Sequence, residues 1–143
     1  MIKRLIAVVL LEKGMVVRAQ RFCQVSKIGN PIYTIERLSS WSVDELILLE
    51  RSPTSTRDPY LDREDIERTF SGEGLIGLVK HVSPKAFMPL TVGGGINSLN
   101  KAQKALEAGA DLIVVGNGIE RNPDLLIDIA DQISKHNRTL NIH

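Results

Sequence analysis

The sequence has little of several features that mark specialised proteins. Cys23 is the only cysteine, so neither an internal disulfide nor a two-thiol metal site can form, and a reducing cytoplasm is the expected compartment. Aromatic residues make up 4% of the chain and the net charge is +1, which disfavours nucleic acid or an anionic membrane as the partner. No run approaches the roughly 20 apolar residues that cross a bilayer.

Four short apolar runs have the length of buried parallel strands: Leu5–Leu11, Glu45–Leu49, Met88–Val92 and Asp111–Val115. The runs are continuous rather than alternating, which predicts strands that are buried on both faces. Four helix-like segments separate and follow these strands. The first begins at Asn30-Pro31, the second and third span 75–82 and 99–108, and the fourth begins at Asn122-Pro123. The order β-α-β-α-β-α-β-α predicts a parallel sheet with right-handed crossovers.

We expect one domain over residues 1–143, with two segments longer than ordinary connectors. Residues 13–30 predict a small extra hairpin together with a mobile loop, and residues 51–72 predict a long inserted polar loop. Four βα units fit the length, whereas a closed barrel of eight units takes about 250 residues. An open doubly wound sheet is the alternative, but it concentrates its ligand at one switch point, and here site-like features follow several strands.

Two glycine-rich turns are the strongest candidates for a binding site. Gly93, Gly94 and Gly95 follow the third strand, and adjacent glycines let a backbone approach a ligand and present its N–H groups to phosphate. Gly116-Asn117-Gly118 follows the fourth strand, and in a barrel the two turns would meet at the same end. The alternative for both is a tight turn with no ligand. We predict a phosphorylated small molecule as the ligand.

Several ordered motifs carry a family resemblance: Arg4–Arg18, Gly29–Pro31, Val43–Leu46, Pro89–Ile96, Ala108–Asp111 and Asn122-Pro123. With them the chain resembles the cyclase (HisF-like) family of imidazole glycerol phosphate synthase, a lyase of histidine biosynthesis. The resemblance implies the N-terminal half of a (β/α)8 TIM barrel. It also implies an activity that uses ammonia from a glutaminase subunit to cyclise a bis-phosphorylated ribulosyl intermediate.

The resemblance also implies roles for single residues. Leu10 occupies the position of the family's first catalytic aspartate, and leucine cannot transfer a proton. Glu12, two residues further along the strand, is a weak substitute candidate. The family's second catalytic aspartate lies on a fifth strand that the four predicted units do not include, so we expect no cyclisation by this chain alone.

Other matched positions belong to the ammonia entrance and the substrate loop. Arg4 and Glu45 match the charged ring at the barrel's N-terminal mouth, whereas Leu112 replaces the lysine of that ring. Asp111 matches a carboxylate at the glutaminase interface, and Arg18 matches a basic residue of the loop that covers the substrate. The alternative for these charged residues is ordinary solvated charge.

No cofactor is expected. Asp62, Glu64 and Asp65 resemble a metal cluster, but no histidine or cysteine joins them, so we expect a solvated charged loop and no metal. The leucine-rich first strand and the 51–72 insert resemble a paralogous branch that serves sugar amidotransfer in surface (lipo)polysaccharide biosynthesis. In that alternative the barrel conducts ammonia and binds phosphate without cyclising anything.

Half a barrel also exposes an apolar face and strand edges. Self-association into a homo-oligomer, a missing second half-barrel and a truncated gene product are the competing explanations.

Overall fold

The computed structural model describes residues 2–20, 24–51 and 74–139. Its elements are β1 (Ile6–Glu12), β2 (Met15–Gln20), β3 (Gln24–Gly29), α1 (Pro31–Ser40), β4 (Glu45–Glu50), α2 (Gly74–Val82), β5 (Leu90–Gly93), α3 (Leu99–Ala108), β6 (Leu112–Val114), α4 (Gly118–Arg121) and α5 (Asp124–Thr139). The predicted insert at 51–72 lies, except for Arg51, outside the described residues, as does Cys23. The predicted βα alternation is confirmed, and α4 is a short helix that the sequence did not indicate.

Local sequence signals explain where the helices begin and end. The Asn30 side chain accepts a hydrogen bond from the Ile32 N–H, and Pro31 fills the first helical position of α1. Ser98 caps α3 in the same way through the Lys101 N–H. Gly109 ends α3 with φ at 117°, a left-handed conformation that glycine adopts without strain.

A hairpin of β2 and β3 extends one side of the sheet, as the length of the 13–30 segment predicted. The turn between β1 and β2 consists of Lys13 and Gly14. Their φ values are 49° and 77°, the positive pair that matches the twist of hairpin strands. The sheet order is β3-β2-β1-β4-β5-β6, and β1, β4, β5 and β6 are parallel. On its β1 side, β2 pairs with Leu10, Leu11 and Glu12 and leaves the rest of β1 unpaired on that edge among the described residues.

One face of the sheet, here called the outer face, is covered by helices. Leu46, Leu48, Leu90 and Val92 point to this face and are at most 1% exposed. They form one cluster with residues of α1, α2 and α3, among them Ile35, Val79 and Ala105. A second cluster joins α3 to α5 through Ile96, Ala102, Leu125 and Ile129. The burial of these side chains is the main source of the fold's stability.

The opposite face, here called the inner face, is covered only in part by the described residues, which corrects the prediction that the strands are buried on both faces. Strand residues alternate in direction, so every second side chain of an apolar run leaves the helix-covered core. Four of these are large and exposed: Ile6 at 45%, Val8 at 55%, Leu112 at 49% and Val114 at 40%. The side chains that point to the inner face therefore have the apolar composition of a barrel interior. Described residues fully cover only the side chains that point to the outer face.

Two aspartates bind the amino ends of the strands to their neighbours. The Leu5 N–H donates to the Asp44 carboxylate, and the Asp44 N–H donates back to the Leu5 carbonyl. Asp111 makes the same reciprocal pair with Leu90, at 2.8 Å in both directions. The two aspartates lie one residue before β4 and before β6, so the similar sequences around them form a structural repeat.

Candidate functional site

The two glycine turns meet at the carboxyl ends of β5 and β6, as predicted. A Cβ added to Gly118 would lie 2.9 Å from the Ile96 carbonyl oxygen, and one added to Gly93 would lie 2.9 Å from the Val114 Cβ. Each turn therefore packs against the element that carries the other. In proteins built from parallel βα units this end of the sheet is where ligands bind.

The glycines of these turns serve two different purposes. Gly94 has φ at +95°, and a Cβ there would overlap the backbone carbonyl oxygen of Glu50, so this glycine is needed for packing against the end of β4. Gly95 has φ at +67° and no atom within 4 Å of an added Cβ, and Gly116 is equally open. Gly95 and Gly116, together with exposed Asn117, are the candidates with room for a ligand.

A cavity of about 430 Å³ adjoins Gly94 and Gly95 on the side of α2 and α3. Its lining includes four basic side chains: Lys13, Arg51, Lys101 and Lys104. Among the described residues that line the cavity, Glu50 is the one acidic residue. The Lys101 ammonium donates to the Gly95 carbonyl at 3.2 Å, which holds this lysine against the turn. The excess of positive charge favours an anionic ligand beside the turn.

Glu50 lies at the end of β4 and is half-buried in this cavity. Desolvation raises the pKa of its carboxyl above the ordinary 4.5, and the nearby Lys101 ammonium partly opposes that shift. A carboxyl with a raised pKa beside a cavity is a common feature of functional sites. The sequence did not indicate Glu50, Arg51, Lys101 or Lys104 as site residues. The signal for the first two was their position at the carboxyl end of a strand.

Leu10 and Glu12 occupy the inner side of β1, near its carboxyl end. Leu10 is partly buried and pairs in register with Leu49 of β4. The side chain of Glu12 is 6% exposed, and its Oε2 lies 3.5 Å from Nε of Arg51. Both Glu12 Oε2 and Arg51 Nη1 are buried without a hydrogen-bond partner among the described residues. The geometry gives Glu12 a charged neighbour, while its catalytic role stays a prediction.

The residues matched to the ammonia entrance lie at the other end of the sheet. Arg4 forms an ion pair with Glu45 at 2.7 Å, and Leu112 is exposed on the inner face of β6. Asp111 binds the backbone of Leu90, which accounts for its position without any partner protein. Arg18 is exposed on β2, away from this group.

Within residues 2–20, 24–51 and 74–139, no group of three or more histidine, cysteine or acidic side chains is arranged to hold a metal ion. Across the same part of the chain, no helix is long and apolar enough to cross a membrane.

Comparison with known proteins gives a consistent result. The model of the histidine biosynthesis protein family matches residues 4–143. Imidazole glycerol phosphate synthase subunit HisF of Streptococcus mutans is 31% identical over 130 residues, covering 91% of this chain and 46% of the relative. The same subunit of Pyrococcus furiosus is 29% identical, covering 94% and 48%, and that of Thermococcus onnurineus is 28% identical, covering 98% and 50%. The chain thus spans about half the length of the curated relatives it matches.

Proposed function

Since the chain belongs to the histidine biosynthesis protein family, we propose that it is the phosphate-binding half of a cyclase-type (β/α)8 barrel. In this proposal the turns after β5 and β6 bind one phosphate group of a phosphorylated ribulosyl-type substrate. The opposite end of the sheet faces a glutaminase that supplies ammonia. Cyclisation needs groups that the described residues do not provide.

The observation that carries the proposal is the open turn at Gly95. Its backbone has the left-handed conformation, no atom lies within 4 Å of an added Cβ, and the turn borders a cavity lined by four basic side chains. Backbone N–H groups exposed in such turns bind phosphate oxygens, and α3 begins at Leu99, shortly after the turn, so its dipole adds positive potential. A turn required only for chain reversal needs neither the open side nor the excess of lysines.

The chemistry of Leu10 supports the proposal that this half of the barrel binds the substrate and that the catalytic groups lie elsewhere. The proton transfers of a cyclase need a titratable group, and Leu10 presents an aliphatic side chain in register with Leu49, another aliphatic residue. The carboxylate of Glu12 is nearly inaccessible and faces Arg51. We therefore expect binding without turnover from the isolated chain.

The apolar Leu10 also favours a second candidate function. A barrel of the paralogous type that conducts ammonia for sugar amidotransfer would need the phosphate turn and the ammonia entrance but no acid–base pair on β1. The Arg4–Glu45 ion pair at the amino end fits both functions, and Leu112 leaves the charged ring incomplete in both.

Titration of the chain with inorganic phosphate in a calorimeter tests the proposed site. Gly116→Asp places a negative charge in open space beside the turns, so we expect phosphate affinity to fall at least about tenfold through like-charge repulsion. Asn137→Asp is the matched control, because it adds the same charge in the last turns of α5 and should bind phosphate as the unaltered chain does. Equal affinity for both variants would remove the glycine turns from the proposal.

A glutaminase assay separates the two candidate functions from a role unrelated to ammonia. The partner glutaminase is assayed with and without the chain, and the ribulosyl substrate is followed for product. Stimulated glutamine hydrolysis without cyclised product supports both candidates, and added product would show that Leu10 does not prevent catalysis. No stimulation would contradict both ammonia-linked functions while leaving the phosphate site to the calorimetric test.

A further inference from the structure

We propose that the cavity beside Gly95 is a second binding site, which takes a small molecule carrying one phosphate group on a compact apolar body. The cavity lies between the first turns of α2 and α3, on the β4 side of the turn that follows β5. The Gly116–Gly118 turn follows β6, on the other side, and does not line the cavity. The inference therefore stands independently of the phosphate function proposed above.

The positive charge of the cavity is not balanced by the described part of the chain. Lys13 and Lys104 line the cavity, and neither forms an ion pair within the described residues. Glu50, the acidic residue of the lining, lies near Lys101, whose charge opposes the rise of the Glu50 pKa. Two lysine charges therefore stay uncompensated, and a phosphate group, with a charge of about −1.5 to −2, would balance them better than a single carboxylate.

Arg51 adds a hydrogen-bond donor that lacks an acceptor. Its Nε lies 3.5 Å from Oε2 of Glu12, while its Nη1 is buried without a hydrogen-bond partner in the part of the chain that the structure describes. An unpaired buried donor is unfavourable, and a guanidinium binds phosphate oxygens through its parallel N–H groups. Because Arg51 lines the cavity, a phosphate bound there would supply an acceptor, and the Glu12 carboxylate would hold the guanidinium in place.

The first turns of α2 and α3 lack the acidic residues that stabilise the N-terminus of a helix. α3 instead carries Lys101 in its first turn and Lys104 one turn later, and both side chains line the cavity. The positive end of the helix dipole repels both lysines, and two like charges three residues apart repel each other. An anion bound between the two helices would relieve both repulsions.

Most of the other lining side chains are apolar, which indicates that the ligand is more than a bare anion. They are Leu75, Ile76, Val92, Ile96 and Ala105. All of these except Ile76 are at most 8% exposed and belong to the two core clusters, so the apolar lining is preformed. The volume of about 430 Å³ falls within the roughly 300–1,000 Å³ of small-molecule pockets. Inorganic phosphate would leave this apolar surface unused.

Calorimetric titration of the chain with three probes tests the ligand class. The probes are phenyl phosphate, inorganic phosphate and benzoate. We expect phenyl phosphate to bind at least about tenfold more tightly than either of the others, because it alone combines a phosphate with an apolar body. Equal affinity for inorganic phosphate would overturn the apolar part of the site, and equal affinity for benzoate would overturn the phosphate part.

Two variants test the cavity walls. Lys104→Glu reverses one charge and should weaken phenyl phosphate binding at least about tenfold, whereas Lys3→Glu makes the same change on the exposed amino-terminal segment and should not. Ile76→Ser removes an apolar contact and should reduce the preference for phenyl phosphate over inorganic phosphate at least about threefold. This preference is a ratio within one variant, so a partial loss of stability does not change it. Unchanged values for both cavity variants would overturn the proposal.

Gly116→Asp separates the cavity from the proposed phosphate turns. The variant should bind phenyl phosphate as the unaltered chain does, because residue 116 does not line the cavity. This result would stand even if the same variant left inorganic phosphate binding unchanged and thereby removed the glycine turns from the proposed function. Loss of phenyl phosphate binding in Gly116→Asp, with binding retained in Lys104→Glu, would place the probe on the glycine turns and overturn the second site.

Discussion

At the amino end of the sheet, these charged side chains have partners within the chain: Asp44 and Asp111 bind backbone N–H groups, and Arg4 pairs with Glu45. At the carboxyl end, Gly95 and Gly116 face open space, Glu12 and Arg51 keep polar atoms without a hydrogen-bond partner among the described residues, and Glu50 has a raised pKa. The polar groups of the amino end hold neighbouring strands together, whereas those of the carboxyl end have room to bind a ligand. Changes at the two ends should therefore have different consequences.

The largest effect is expected at Gly94, the packed glycine of the carboxyl end. Gly94→Ala would force a Cβ into the backbone of Glu50 at a φ of +95°, and we expect a loss of about 4 kcal/mol in the free energy of unfolding from strain and overpacking together. Gly95→Ala, with open space and only the left-handed backbone to strain, should cost about 1 kcal/mol. Urea denaturation measures both, and equal losses would contradict the distinction between a packed and an open glycine.

The amino end should respond to loss of either aspartate to a smaller extent. Asp44→Ala or Asp111→Ala removes a carboxylate that accepts a backbone N–H, and each should lower the free energy of unfolding by about 1 kcal/mol. Asp128→Ala on the exposed surface of α5 is the control and should change stability by less than about 0.5 kcal/mol. If Asp111→Ala were as mild as the control, Asp111 would be better explained by a partner protein than by the fold.

Glu50 should make the stability of the carboxyl end depend on pH. Its pKa is raised in the folded chain, so the folded state holds the proton more tightly and the ionised carboxylate opposes folding at neutral pH. Glu50→Gln should then gain stability at pH 7, by less than about 1 kcal/mol because water screens this half-buried group. The gain should disappear as the pH falls through the raised pKa toward 4.5. Thermal unfolding of both proteins across this range would contradict the account if the difference grew on acidification.

The smallest effect is expected for the ion pair of the amino end. The Arg4 side chain is 51% exposed, and exposed pairs contribute little, so Arg4→Met should change the free energy of unfolding by less than about 0.5 kcal/mol. The same variant should weaken stimulation of a partner glutaminase if this end conducts ammonia. If the variant stimulated the glutaminase as strongly as the unaltered chain does, the Arg4–Glu45 pair would have no role toward the partner.

The elements that could be predicted from the sequence are those with local causes. Asn30-Pro31, Ser98 and Gly109 mark the ends of helices because capping depends on a few neighbouring residues. The order of the strands also followed from the sequence, because apolar runs alternate with helical spacing. Burial on both faces was predicted wrongly, since an apolar run records what its strand is suited to and not what covers it.

The candidate site was predicted in part for a similar reason. Glycine-rich turns are visible in a sequence, but the different purposes of Gly94 and Gly95 depend on the approach of β4, which is distant in the chain. Lys101 and Lys104 lie on a helix whose face toward the cavity is set by packing against α2, α5 and β6, so no local pattern singles them out.

We propose that the carboxyl end of the sheet binds an anion and that the amino end does not. Amide chemical shifts recorded during titration with inorganic phosphate measure this directly. We predict saturable shifts at Gly95, Gly116 and Asn117, with Leu5 and Leu90 at the amino end unchanged. Shifts that are absent from the glycine turns, or equal at the two ends, would contradict the account.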